Sequence, residues 1–164
     1  MNLKRLSAGA LMALAAVSAS ANDVNTNPSI LGSTGWFAAI HTDNSPFTDT
    51  FSFVGASGPL LASASVITIS LGAGSNIDFA SATLNGNAFT LSPTGIVEFG
   101  SLTSTALTGP LVLVVKGTTD AANGVFASYS GTVNVTTVPE PETYALMLAG
   151  LAGIGFLARR RQAT

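Results

Sequence analysis

Apolar and polar residues alternate in short runs through the middle of the chain, and turn signals cut the runs apart. Asn27-Pro28, Asn44-Ser45-Pro46, Gly55 to Pro59, Gly72 to Asn76, Asn85-Gly86-Asn87, Ser92 to Gly95, Thr108-Gly109-Pro110 and Ala122-Asn123-Gly124 are such signals. Between them the pattern predicts strands over Trp36–His41, Phe47–Val54, Leu60–Leu71, Ile77–Leu84, Ala88–Leu91, Ile96–Phe99, Leu111–Lys116 and Val125–Thr136. Short strands at this spacing, with no interior helical period, predict an all-β domain, an antiparallel β-sandwich of jelly-roll or Ig-like type. In the last strand Val125, Ala127, Tyr129, Val133 and Val135 share one face, and Ser128, Ser130, Thr132 and Asn134 share the other. Leu111 to Val115 is apolar on both faces, as a central or covered strand would be. Between Leu60 and Leu71 the alternation changes parity near Val66-Ile67, which suggests a bulge or bend there. Asn85-Gly86 is the strongest hairpin turn in the chain.

The two ends read differently. Met1 to Arg5 is a short basic head, Leu6 to Val17 is apolar, and Ala19-Ser20-Ala21 is a small-x-small cleavage site, so residues 1–21 read as a signal peptide. The mature domain is then 22–138. Residues 139–164 form a tail of three parts. Pro139-Glu140-Pro141 resists helix and sheet, because proline fixes φ and lacks an N–H. Tyr144 to Ala158 carries no charge, and Arg159-Arg160-Arg161 follows. As a helix that apolar run rises about 22 Å at ~1.5 Å per residue, short of the ~20 residues of a comfortable span. With snorkelling arginines it is expected to be a single C-terminal transmembrane helix, its arginines acting as a cytoplasmic stop-transfer signal.

Composition narrows the function. Over residues 22–138 there is one Lys (Lys116) and no Arg against six acids, Asp23, Asp43, Asp49, Asp78, Glu98 and Asp120, a net charge of −5. A nucleic-acid surface needs clustered cations, so nucleic acid is not an expected partner. The chain has no cysteine, so disulfides, thiolate metal sites and Cys nucleophiles are excluded.

The sharpest local feature is Phe47-Thr48-Asp49-Thr50-Phe51-Ser52-Phe53. Period two puts Asp49 on the face of the phenylalanines, where an unpaired carboxylate costs several kcal/mol. Asp49 therefore needs partners, and three sets present themselves. Loop N–H groups at a sheet edge would pin the strand's register. Lys116 or His41 would pair with it. A calcium ion, with Asp43 as co-ligand, would use its oxygens, although no Asp-x-Asp-x-Asp loop is present. No other metal or cofactor is expected. His41 is the only histidine and reads as a surface loop residue; with Asp43 two residues on, a hydrolytic triad is the rarer alternative. Asp78, Glu98 or Asp49 are the carboxylates a polysaccharide hydrolase would use. No nucleophile elbow, phosphate loop or zinc motif occurs, and catalytic residues are not expected. Trp36, Phe37 and Tyr129 would stack on sugars if exposed, core packing being the commoner use.

The signal peptide with cleavage residues Ala19 and Ala21, the Pro139-Glu140-Pro141 tripeptide, the short apolar helix and the arginine cluster together resemble the PEP-CTERM family of exported bacterial proteins. Phe47, Asp49 and Phe51 are similar to the motif that names its FxDxF subgroup. The resemblance implies sorting by an exosortase that recognises the tail near Pro139-Glu140-Pro141. It implies a precursor held transiently in the inner membrane of a Gram-negative, exopolysaccharide-making cell, and a mature form at the cell surface or in the extracellular matrix. The expected role is structural or glycan-interacting, without enzymatic activity. The alternatives are a secreted polysaccharide hydrolase, or a surface protein whose membrane anchor is never cut.

Overall fold

Strand propensity and turn chemistry give eleven strands and one helix among the described residues. In the computed structural model, which describes residues 23–122, 124–138 and 141–162, these are β1 (Asn25–Thr26), β2 (Ile30–Leu31), β3 (Thr34–His41), β4 (Phe47–Phe53), β5 (Pro59–Ile69), β6 (Ile77–Leu84), β7 (Asn87–Ala88), β8 (Thr90–Leu91), β9 (Val97–Thr108), β10 (Leu111–Thr119), β11 (Ala127–Thr137) and α1 (Pro141–Gln162). The signal-peptide reading, with Ala19 and Ala21, lies outside the described residues, as do Pro139 and Glu140.

The strands form two sheets. One runs β1-β4-β10-β6-β7 and the other β2-β3-β11-β5-β9-β8. All pairings are antiparallel except β1 with β4, which is parallel. Alternation in burial follows the two-residue period along β3, β4, β5 and β10, so each sheet turns one face inward. Phe51, Phe53, Leu84, Leu111 and Leu113 from the first sheet meet Phe37, Leu60, Val66, Tyr129 and Val133 from the second. Each large side chain fully buried this way contributes about 1.5–3 kcal/mol. Several core rings meet tilted or edge-on: Phe37 and Phe51 are 4.9 Å apart at 47°, and Phe79 meets Tyr129 edge-on at 5.5 Å.

Several expectations hold. β10, apolar on both faces, lies at the centre of its sheet. Asn85 (φ 48°) and Gly86 (φ 80°) make the tight turn between β6 and β7, both in the left-handed region that this hairpin type demands. Gly131 has a packing reason. It stands directly opposite Phe37, and a Cβ there would come within 2.1 Å of the Ser65 carbonyl and 2.4 Å of the Phe37 ring.

Others need correction. There is no parity change at Val66-Ile67: Leu60, Ala62, Ala64, Val66 and Thr68 are all inward, and Ile67 and Ile69 point out. The irregularity sits earlier, between Ala62 and Ala64, where β5 meets β9. The outward isoleucines mimicked a change of face. β9 continues to Thr108, well past Phe99. His41 is no surface loop residue; it ends β3 and is fully buried.

The tail is helical, as read. Pro141 opens it, a position that needs no N–H donor, and Glu142 sits in the first turn where the helix dipole favours an anion. The expectation of a membrane span is not met: among the described residues no helix is long and apolar enough to cross a membrane. The uncharged run is short, Gly150, Gly153 and Gly155 dilute its hydropathy, and the helix takes in Glu142 and the arginines at its ends.

Candidate functional site

Asp49 is the centre of the buried polar structure. β4 alternates strictly, with Phe47, Asp49, Phe51 and Phe53 inward, and Asp49 is fully buried. Its Oδ1 accepts the Val24 N–H at 2.8 Å. Its Oδ2 accepts the Tyr129 hydroxyl and lies 3.1 Å from His41 Nε2. Asp49 belongs to one sheet and both ring partners to the other, so this one carboxylate ties the layers together. Phe47 stacks on the His41 ring at 4.0 Å and 18°, closing the site from that side. Burial, followed by the Asp49 carboxylate, pushes the Tyr129 phenol well above its ordinary range, so it stays a donor.

Two of the three partner sets are thus present together. The backbone donor comes from the segment that leads into β1 at the sheet edge, where Thr50 N–H also bonds Val24 C=O and Thr48 N–H bonds Asp23 Oδ1. His41 supplies the side-chain pairing. Lys116 does not. It sits beside Thr48 in the ladder, exposed on the outward face that Asp49 turns away from. Asp43 is engaged separately, its Oδ1 accepting the Ser45 N–H at 2.9 Å. Among the described residues no group of three His, Cys, Asp or Glu side chains is arranged to hold a metal ion.

Glu98 forms a second tie between the sheets. It is an inward residue of β9 with 1% exposure, and its two oxygens accept Phe79 N–H from β6 at 3.0 Å and Gly95 N–H at 2.9 Å. Burial raises its pKa above the usual carboxylate value, the two N–H bonds work against that, and the adjacent Asp78 carboxyl adds to the rise. Asp78 itself accepts the Asn76 side-chain amide at 2.8 Å. The two candidate hydrolase carboxyls therefore lie close together, Asp78 near enough to add to the upward shift of Glu98. Glycosidase carboxyls stand about 5 Å apart or more, with the sugar between them.

Asp120, which carried no sequence signal, holds the loop after β5 by accepting Gly74 and Asn76 N–H groups. A short polar loop rich in Gly and Ser, facing a lone acid, is the clue that would have found it. All six acids of the domain accept hydrogen bonds from the protein itself. Of the three candidate sugar-stacking rings, Phe37 and Tyr129 are buried and Trp36 is 58% exposed.

In the tail, every described side chain of α1 is exposed, including Leu146, Leu151, Ile154 and Phe156. The C-terminal turn carries Arg159-Arg160-Arg161.

Comparison with curated proteins gives no match. Among solved structures, the chain is similar to PliG of Aeromonas hydrophila, described as a periplasmic inhibitor of g-type lysozyme. The identity is 12%, over 70% of this chain and 99% of that one, with a TM-score of 0.29. A mutant of the Escherichia coli PliG gives the same identity and coverage at 0.28. Similarity at that level carries no conclusion about either fold or partner. The PEP-CTERM protein-sorting motif matches residues 137–161. The match does not extend to Phe47–Phe51. The chain therefore carries a PEP-CTERM sorting motif at its C-terminus, the mark of an exported protein processed by an exosortase.

Proposed function

We propose that the sandwich is a non-enzymatic component of a cell surface or polysaccharide matrix, delivered there by its tail. One observation carries the non-enzymatic part: each of the six acids accepts hydrogen bonds from the protein's own groups. The two least exposed, Asp49 and Glu98, hold the sheets together. A general acid or nucleophile must face substrate, and these carboxylates face the fold's own donors. In this reading the Phe47–Phe51 segment, similar to the FxDxF motif, is a structural pin. The exosortase reads Pro139-Glu140-Pro141, and α1 with its arginines presents that site at the membrane.

The test is twofold. The purified protein incubated with labelled neutral and acidic polysaccharides should release no oligosaccharide. Hydrolysis that disappears in Asp78→Asn or Glu98→Gln would replace this reading with the hydrolase one. Deleting residues 139–162 should leave the domain folded and abolish its delivery to the surface.

A further inference from the structure

We infer that the outward face of the β2-β3-β11-β5-β9-β8 sheet is a binding platform for a neutral, linear polysaccharide, seated in a groove along β11 with Trp36 as its stacking residue. This deepens the proposal above and rests on it for the place where such a ligand is met.

Charge is the first argument. The four long strands of this sheet contain two residues with acidic or imidazole side chains, His41 and Glu98, and both are buried. Their outward positions carry no charge at all. The opposite sheet differs, with Lys116 exposed and Asp78 half-buried on its outer side. An uncharged face repels neither sign, gives no electrostatic steering and suits an uncharged ligand.

Shape is the second. Outward residues on β11 are short, while Trp36 on β3 and Ile67 on β5 stand to either side. The result is an open groove of about 530 Å³, continuous with a second of about 430 Å³ through Ala38, Ile67 and Ser130. These volumes lie in the range of ligand sites.

Pattern is the third. One row across the sheet places Trp36 opposite Thr132, Thr132 opposite Ser65, and Ser65 opposite Ser101. The next row runs Ala38, Ser130, Ile67, Phe99. Strands lie about 4.8 Å apart, so a row of hydroxyls beside Trp36 lies next to a mainly apolar row on the scale of a sugar ring. A pyranose has apolar C–H faces for the indole and ring hydroxyls for the serines and threonines. A second copy of the chain fits less well: packing its apolar side chains here would cut the hydroxyl floor off from water, leaving it only the Ser65–Thr132 bond within the floor, whereas a sugar offers it new partners.

Trp36 is the only tryptophan of the chain, so its fluorescence reports this groove alone. The full chain, kept in a polyoxyethylene detergent that carries no sugar, is titrated with cellohexaose and maltohexaose, and with a galacturonic acid hexamer as the charged control. The expected result is a saturable blue shift with a neutral hexamer and none with the acidic one. Ser130→Arg, which puts a charge on the groove floor, should weaken binding at least ten-fold with an unchanged melting temperature. If that variant folds poorly, Trp36→Ala followed by calorimetry should show the same loss. No saturable shift at millimolar sugar overturns the inference. So does a shift that follows protein concentration without sugar, which would make a second copy the occupant. Binding is read on isolated protein, so its failure leaves delivery by the tail standing, and failed delivery leaves the binding result intact.

Discussion

Asp49 Oδ2 receives the Tyr129 hydroxyl from the opposite sheet and lies 3.1 Å from His41 Nε2, all three side chains being essentially buried. The layers are therefore joined by a hydrogen-bonded carboxyl group as well as by apolar packing. A buried carboxylate is tolerated only while its oxygens are engaged, and removing it strands its donors. Asp49→Ala should cost about 3–5 kcal/mol, a fall in Tm of roughly 10–20 °C for a domain of this size. The fall should be the same with calcium or with a chelator present. A chelator that lowers the wild-type Tm and leaves the mutant unchanged would instead make Asp49 a metal ligand.

Tyr129 gives an alkaline signature. Its phenol is held above its ordinary value of 10.0 by burial first and the Asp49 carboxylate second. As pH rises past that value the unfolded chain releases the proton and the folded chain keeps it. The stabilisation is thus complete below about pH 10 and declines above it. Tyr129→Phe should be less stable at neutral pH, by about 1–3 kcal/mol, because Asp49 loses a donor. Its stability should fall less steeply than the wild type's between pH 10 and 11. Parallel curves in chemical denaturation would contradict this account of the phenol.

Glu98 works with the same sign at lower pH. Its folded pKa is raised from 4.5, chiefly by burial. The folded state therefore holds this proton more tightly than the unfolded chain does. Its contribution is complete below pH 4.5 and is lost as pH climbs through the raised value. Glu98→Gln keeps an acceptor for one of the two backbone N–H groups and cannot titrate. Relative to wild type, the variant should gain stability as the pH is raised from 4 towards neutrality. A difference between the two that does not change with pH sinks the prediction.

Gly131 tests the packing of β11 on β3 and β5. An added methyl has no space between the Ser65 carbonyl and the Phe37 ring, and a carbonyl in a sheet ladder cannot move aside cheaply. Gly131→Ala should cost about 2–3 kcal/mol. Ser130→Ala, one residue away on the open face, should shift Tm by only a degree or two. Equal effects would mean that the strand is not seated as described.

The two-sheet architecture was legible because the period-two pattern is clean in β4, β10 and β11. Asp49 was legible too, since a carboxylate among phenylalanines has to find partners. What misled was the outer face of the larger sheet. Ile67 and Ile69 point to solvent, so apolarity on both sides of β5 imitated a bend. The same face hid the length of β9, whose Ser and Thr residues read as loop. His41 was misplaced because one histidine beside Thr42-Asp43 carries no mark of burial; only the fold brings Asp49 to it. Asp78 and Glu98 were read as a possible hydrolytic pair; their closeness depends on β6 meeting β9 across the layers, which local pattern does not encode. The tail was legible in composition and order, but the membrane span expected of it was not met: the shortness of its uncharged run was visible, and snorkelling arginines were given too much weight against it.

The central claim is that the tail is a processing signal that parts from the sandwich at the proline pair. Intact mass of the protein recovered from the cell surface or medium tests it most directly. The account predicts one dominant species that begins near Asn22 and ends close to Pro139-Glu140-Pro141, without the helix. Recovery of the chain only in membranes, with Arg159-Arg160-Arg161 still attached, would contradict it.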